Sequence, residues 1–233
     1  MSNLAIDPGF TYQIYKQWND GKRWEIIDGV AYAMAAPLLE HQDISGELYG
    51  QLWQFLKGKK CKVYHAPFDV RLNADTFDNI VVQPDILVIC DNSKLDRGGI
   101  IGAPDFIIEI LSPINIKHDT DLKFNLYQAA GVKEYWIVDP QRFMVKVYIL
   151  QGGLYGKGTV YTDNDIIPVH TLPGCSIDLS EVFDIDDTES EITEDNNITE
   201  NDITDIKLNI FNALKNNKAT KQQLIDLIND FDK

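Results

Sequence analysis

VQPDILVIC (82–90) and GAPDFIIEILSP (102–113) each open on Pro-Asp and run into a short, nearly unbroken apolar stretch. Runs of this length bounded by turn residues read as buried strands covered on both faces. Side chains along a strand alternate faces, so Asp105, Ile107, Glu109 and Leu111 share one side while Phe106, Ile108 and Ile110 share the other. Pairing the two runs as an antiparallel hairpin with residue 90 opposite 105 puts residue 85 opposite 110. Asp85 and Glu109 then become neighbours. Two carboxylates inside an apolar sheet repel each other and resist ionisation unless a cation joins them. A hard divalent ion, Mg²⁺ with Mn²⁺ as its substitute, suits oxygen donors of this kind.

Nearer the N-terminus, RWEIIDGVAYAM (23–34) sets Asp28-Gly29 between apolar flanks, a favoured hairpin turn. Ile44, Leu48, Leu52 and Phe55 recur at helical spacing and Lys57-Gly58 supplies a stop, which predicts a helix over 40–57. CKVYHAPFDVRL (61–72) reads as a strand, and the polar stretch 73–80 separates it from the strand at 84–90. After DFIIEIL (105–111), the segment 118–131 offers Asp119 or Thr120 as a cap, Leu122 and Leu126 at helical spacing, and Gly131 as a stop. EYWIVDP (134–140) and MVKVYIL (144–150) follow as strands, and the core closes near 174–183. The core order is helix, three strands, helix, strand, an α/β arrangement.

Residues 184–205 hold ten acidic side chains and no basic one, and read as a solvated linker, disordered by composition. Apolar residues recur at helical spacing from about 203 to 230, which predicts a short amphipathic helical tail over 206–233. That divides the chain into a domain over 1–183, a linker and a tail for which a homodimer contact is one available role. The net charge of −15 argues against a nucleic-acid partner, but the tail concentrates it: residues 1–183 carry 23 acids against 16 bases. Cysteines at 61, 90 and 175 show no CxxC pair and no dense even spacing, which points to a reducing, cytoplasmic setting. No run approaches the roughly 20 apolar residues that span a bilayer, so no membrane partner is expected.

Glu109 is the strongest single signal, because an acid inside an apolar strand is rare without a functional or ionic partner. Asp85 alone would pass for a turn residue after Pro84, and gains weight from Glu109. Asp105 lies about 13 Å from Glu109 at ~3.3 Å per residue, too far to share an ion, and reads as a strand-entry residue. Lys123 stands one helical turn past Asp119; it is either half of a surface ion pair or an ammonium beside the metal that steadies a pentacovalent phosphate. Glu40 and His41 are individually weak signals. The lysines at 57, 59, 60 and 62 end the first helix and face solvent or phosphate.

In combination the runs EHQDISGELYGQL, APFDVRL, VQPDILVIC, GAPDFIIEILSP and D…KFNLYQAAGVKEYWIVDP resemble the Uma-two family of restriction endonucleases, a branch of the PD-(D/E)XK superfamily. The resemblance covers about residues 10–183. It implies a restriction-endonuclease-like core with a mixed central sheet flanked by helices, and Mg²⁺-dependent hydrolysis of phosphodiester bonds in DNA, with RNA as the other substrate left open. It places the first acid of the site at Glu40, the metal aspartate at Asp85 and the second carboxylate at Glu109. Where the superfamily writes (D/E)xK this chain has Glu109-Ile110-Leu111, and the lysine is implied to come from the next helix, at Lys123. Intact Asp85, Glu109 and Lys123 favour a nuclease; the charge and Leu111 favour an inactive relative that binds nucleic acid or protein.

Overall fold

Phe106–Ile110 is buried along its whole length, and the rest of the molecule is arranged to cover it. The computed structural model describes residues 9–112 and 118–183, with backbone only for 118–120. The linker expected over 184–205, the helical tail expected over 206–233 and the Asp119 and Thr120 side chains therefore lie outside the described residues.

In chain order the elements begin with α1 (Tyr12–Tyr15), β1 (Trp24–Ile27), β2 (Val30–Ala33), α2 (Leu39–Leu56), β3 (Lys62–His65), β4 (Val70–Arg71) and β5 (Val81–Val82). They continue with β6 (Ile86–Ile89), β7 (Leu95–Asp96), β8 (Gly99–Ile101), β9 (Phe106–Ile110), α3 (Phe124–Ala130), β10 (Glu134–Asp139) and β11 (Met144–Gln151). Short strands β12 (Leu154–Tyr155), β13 (Thr159–Thr162), β14 (Ile166–Pro168) and β15 (Ser176–Asp178) lead to α4 (Leu179–Val182). A π-helical turn, His118–Lys123, runs directly into α3, which ends on Gly131 in the left-handed conformation (φ 85°).

The central sheet has strand order β12-β11-β10-β9-β6-β3, with β13 on β11, and is mixed: β9 pairs parallel with β10 and antiparallel with β6. A parallel pair needs a crossover, and α3 supplies it between β9 and β10. One face of the sheet, carrying Ile86, Val88, Phe106, Ile108 and Trp136, packs on α2 through Ile44, Leu48, Leu52 and Leu56. Each such side chain contributes roughly 1.5–3 kcal/mol by leaving water. Leu87, Ile89, Ile107, Tyr135 and Ile137 form the other face, against Tyr127 of α3.

Chain order through α2, β3, β6, β9, α3 and β10 is thus interrupted by strands the sequence did not predict. β4, β5, β7 and β8 join the β1–β2 hairpin in a second sheet, order β2-β1-β5-β4-β8-β7. The stretch 61–72, expected as one strand, divides at the cis Ala66-Pro67 bond: β3 stays in the central sheet and β4 enters the second. Asp28 and Gly29 form the expected hairpin turn, both at positive φ (51° and 77°).

Cysteine spacing had pointed to reduced thiols, and the structure corrects this: Cys61 and Cys90 are joined by a disulfide, while Cys175 is free and buried. Lys62 faces Ile89 in the β3–β6 ladder, so the preceding and following residues meet across the strand ends. A separation of 29 residues in sequence carries no trace of that register. The inference to a reducing compartment loses its basis. No helix among the described residues is long and apolar enough to cross a membrane.

Candidate active site

Ile86 pairs with Ile108 and Leu87 with Ile107, so continuing the ladder by one step sets Asp85 opposite Glu109. The register is one residue away from the expected pairing, and it places the two acids directly across from each other on the α3 face. Asp85 does not extend into that face unaccompanied. Its Oδ2 accepts from the Ile110 backbone N–H (2.8 Å) and lies 3.2 Å from His41 Nε2. Among the described residues its Oδ1 has no hydrogen-bond donor.

Glu109 is 3 % exposed, and its Oε1 accepts from the Tyr127 hydroxyl (2.6 Å) and from Lys123 Nζ (3.0 Å). Lys123 and Tyr127 are four residues apart across the join between the π-helical turn and α3, so both face the sheet. Burial, then the nearby Glu109 and Glu25 carboxylates, raise the Tyr127 pKa well above its ordinary value. The hydroxyl therefore stays protonated and donates.

Lys123 is itself 3 % exposed, which removes the solvent ion pair with Asp119 as an account of its role. Its ammonium lies 3.0 Å from Glu25 Oε1 as well as from Glu109. Glu25, on β1 of the second sheet, also accepts from the Gln83 backbone N–H (2.9 Å). One cation thus sits between two buried acids from two different sheets.

Glu25 was missed in the sequence, although WEII carries the same sign as DFIIEIL: an acid inside an apolar strand. Glu25→Gln should loosen the hold on Lys123 without unbalancing charge. We expect thermal stability to change little; a drop in melting temperature as large as that of a lysine deletion would contradict the shared-cation arrangement.

Glu40 is exposed on the first turn of α2 and makes no hydrogen bond or ion pair among the described residues. Its neighbour His41, an equally weak signal in the sequence, is the one that contacts Asp85. Asp105 accepts from the Cys90 backbone N–H (2.7 Å) and pairs with Lys133 (2.6 Å), the strand-entry part expected of it.

Burial lowers the His41 pKa, but the hydrogen bond and charge of Asp85 outweigh it and the net shift is upward from 6.5. A raised folded-state pKa means the native state binds the proton more tightly than the unfolded chain. The resulting stabilisation is complete below pH ~6.5 and is lost as pH rises through the folded-state value. Wild type should therefore exceed His41→Asn in melting temperature by more at pH 5.5 than at pH 8, read by calorimetry; an equal difference at both would count against the pair.

Among the described residues no cluster of three or more His, Cys, Asp or Glu is placed to hold a metal. Mg²⁺ does not require one, since it commonly binds one or two carboxylates and completes its octahedron with water and phosphate. Oxygen donors and the donor-free Oδ1 of Asp85 fit such an ion.

Residues 11–180 match the model of a family described as "Putative restriction endonuclease". A 150-residue stretch, 63 % of the chain, is 27 % identical to an uncharacterized protein of Synechocystis sp., 77 % of whose length it covers. A crystal structure described as that of a putative nuclease belonging to DUF820, from Anabaena variabilis, superposes with a TM-score of 0.62. The superposition covers 75 % of this chain and 98 % of that one at 20 % identity, a likeness of fold.

Proposed function

Because the chain belongs to the Uma2 family of restriction-endonuclease-like proteins, we propose that it is a metal-dependent nuclease hydrolysing phosphodiester bonds, with DNA as the substrate and Asp85 and Glu109 as the metal ligands. The observation that carries the reading is the Lys123 ammonium on Glu109 Oε1, across the strand pair from Asp85. A bound Mg²⁺ or Mn²⁺ would supply a water of lowered pKa and offset phosphate charge.

The remaining chemistry belongs to the chain. Glu109 is held in place by Tyr127, so its carboxylate does not have to be ordered when the site fills. Asp85 is fixed through Oδ2 by Ile110 N–H and His41, which leaves Oδ1 to face a ligand. Lys123 offers a preorganised positive charge where negative charge grows on the phosphorus-bound oxygens, a placement that favours the transition state over the ground state. Glu40, one residue from His41, keeps the first-acid position implied by the family pattern, from an exposed site.

Leu111, where the superfamily has lysine, and the net charge of −15 favour a second reading, a nuclease fold that binds without cutting. Incubation with supercoiled plasmid, single-stranded DNA and RNA in Mn²⁺ distinguishes the two. We expect nicking that EDTA stops and that Asp85→Ala lacks. Metal binding by calorimetry with no cleavage of any substrate would decide for the binding module.

A further inference from the structure

Two nitrogens are buried without a hydrogen-bond partner among the described residues, Arg23 Nη2 and His41 Nδ1. His41 reaches Asp85 itself. Arg23 donates from Nε to Gln83 Oε1 (2.9 Å), two residues before Asp85. The Arg23 charge is felt at His41, where it lowers the imidazole pKa, so the two groups are within electrostatic reach of each other.

Gln83 is 5 % exposed and held from three sides: its Nε2 donates to Asp69 (2.8 Å) and to the Tyr15 hydroxyl (3.1 Å), and its backbone N–H to Glu25. The guanidinium is thereby anchored at one nitrogen while another goes without an acceptor. Burying an N–H unsatisfied carries the full desolvation penalty of the group. Charge sharpens the point. Arg71, Lys123, Lys133 and Arg142 each stand against a carboxylate, whereas Arg23 makes no ion pair among the described residues. Its charge reaches Asp69 through the shared Gln83 without a direct pair, and Nη2 is left as a spare donor on a partly buried cation.

We propose that the Arg23 guanidinium binds a phosphate oxygen of the nucleic-acid strand that adjoins the Asp85/Glu109 pair. The proposal rests on the nuclease reading for its substrate class. Guanidinium is the suited group, since its planar fork matches phosphate geometry and it cannot lose its charge. It also bears on the difficulty posed by the acids, since it adds a fixed positive charge held by Gln83, two residues from Asp85.

The test uses the full-length chain in EDTA, where no metal-dependent cleavage confuses binding. Affinity for a fluorescein-labelled duplex, a single-stranded DNA and an RNA is measured over a salt series for wild type, Arg23→Gln and Arg23→Lys. In parallel, inorganic phosphate is titrated against melting temperature, with chloride at equal ionic strength as control. We expect Arg23→Gln to weaken binding about tenfold and to reduce the salt slope by about one, the signature of one lost phosphate contact. Arg23→Lys should keep the slope and lose part of the affinity, and phosphate should stabilise wild type but not Arg23→Gln. Unchanged affinity and slope in Arg23→Gln would overturn the proposal. If wild type binds no nucleic acid yet phosphate stabilisation still depends on Arg23, the anion site stands and the nuclease reading falls. If phosphate has no effect and nothing binds, both fall.

Discussion

Glu109→Gln is expected to abolish cleavage, by at least about 10²-fold, while the chain stays folded. Glutamine keeps the shape of the side chain and an oxygen for the Tyr127 hydroxyl, but no charge for a cation. The stability outcome is the more telling half. The substitution removes one of the two buried carboxylates that share the Lys123 ammonium and keeps the Lys123–Glu25 pair. In metal-free buffer the variant should melt at or above the wild-type temperature, and added Mn²⁺ should stabilise wild type only. Plasmid nicking and calorimetry read the two effects. Near-wild-type nicking by the folded variant would remove Glu109 from the metal site.

Lys123→Ala should do the reverse to stability. Taking away the ammonium strands two acids, each nearly fully buried, and breaking a buried pair in this way costs about 3–5 kcal/mol. For a domain of this size that is a fall of roughly 10 °C or more in melting temperature. The cleavage rate should drop about 10²-fold or more, as when one transition-state donor is lost. Combining Lys123→Met with Glu25→Gln and Glu109→Gln removes all three charges of the trio together, and should recover much of the stability and none of the rate. If Lys123→Ala melts like wild type, the ammonium does not sit between the carboxylates in solution.

What the sequence disclosed, and what it withheld, divides along the range of the interactions. Ile44, Leu48 and Leu52 announce α2 because helical burial repeats every three or four residues, and the helix begins and ends within a residue of the expected bounds. Asp28-Gly29 declares its hairpin for an equally local reason, positive φ at both positions. The pairing of β6 with β9 was readable in direction and wrong by one residue in register, because alternation alone cannot say which rung of the ladder meets which. Pairings over longer separations left no mark. The transfer of β4 to a second sheet at Ala66-Pro67, the meeting of Cys61 with Cys90, and the approach of Glu25 to Lys123 all depend on where strands end up in space. Glu109 could be singled out because it interrupts five apolar neighbours; Glu25 interrupts fewer, in a short hairpin strand, and Arg23 beside it looks like any charged residue before a turn.

Lys123 is also a mechanical element, since it is the tie between a strand of the central sheet and a strand of the second one. A divalent cation placed on Glu109 competes with that tie: the carboxylate shares its charge with the newcomer, and the ammonium leans further towards Glu25. Loading the site should therefore register at a distance, in how readily β1 and β5 open. Native-state hydrogen exchange at Ile26 and Gln83 is the natural observable, because Gln83 N–H is bonded to Glu25 Oε1 and Ile26 pairs with Val81. A titration with Mn²⁺ that slows exchange at Ile110, whose N–H is held by Asp85, and alters it at Gln83 would reveal the site as a junction through which occupancy reaches the second sheet.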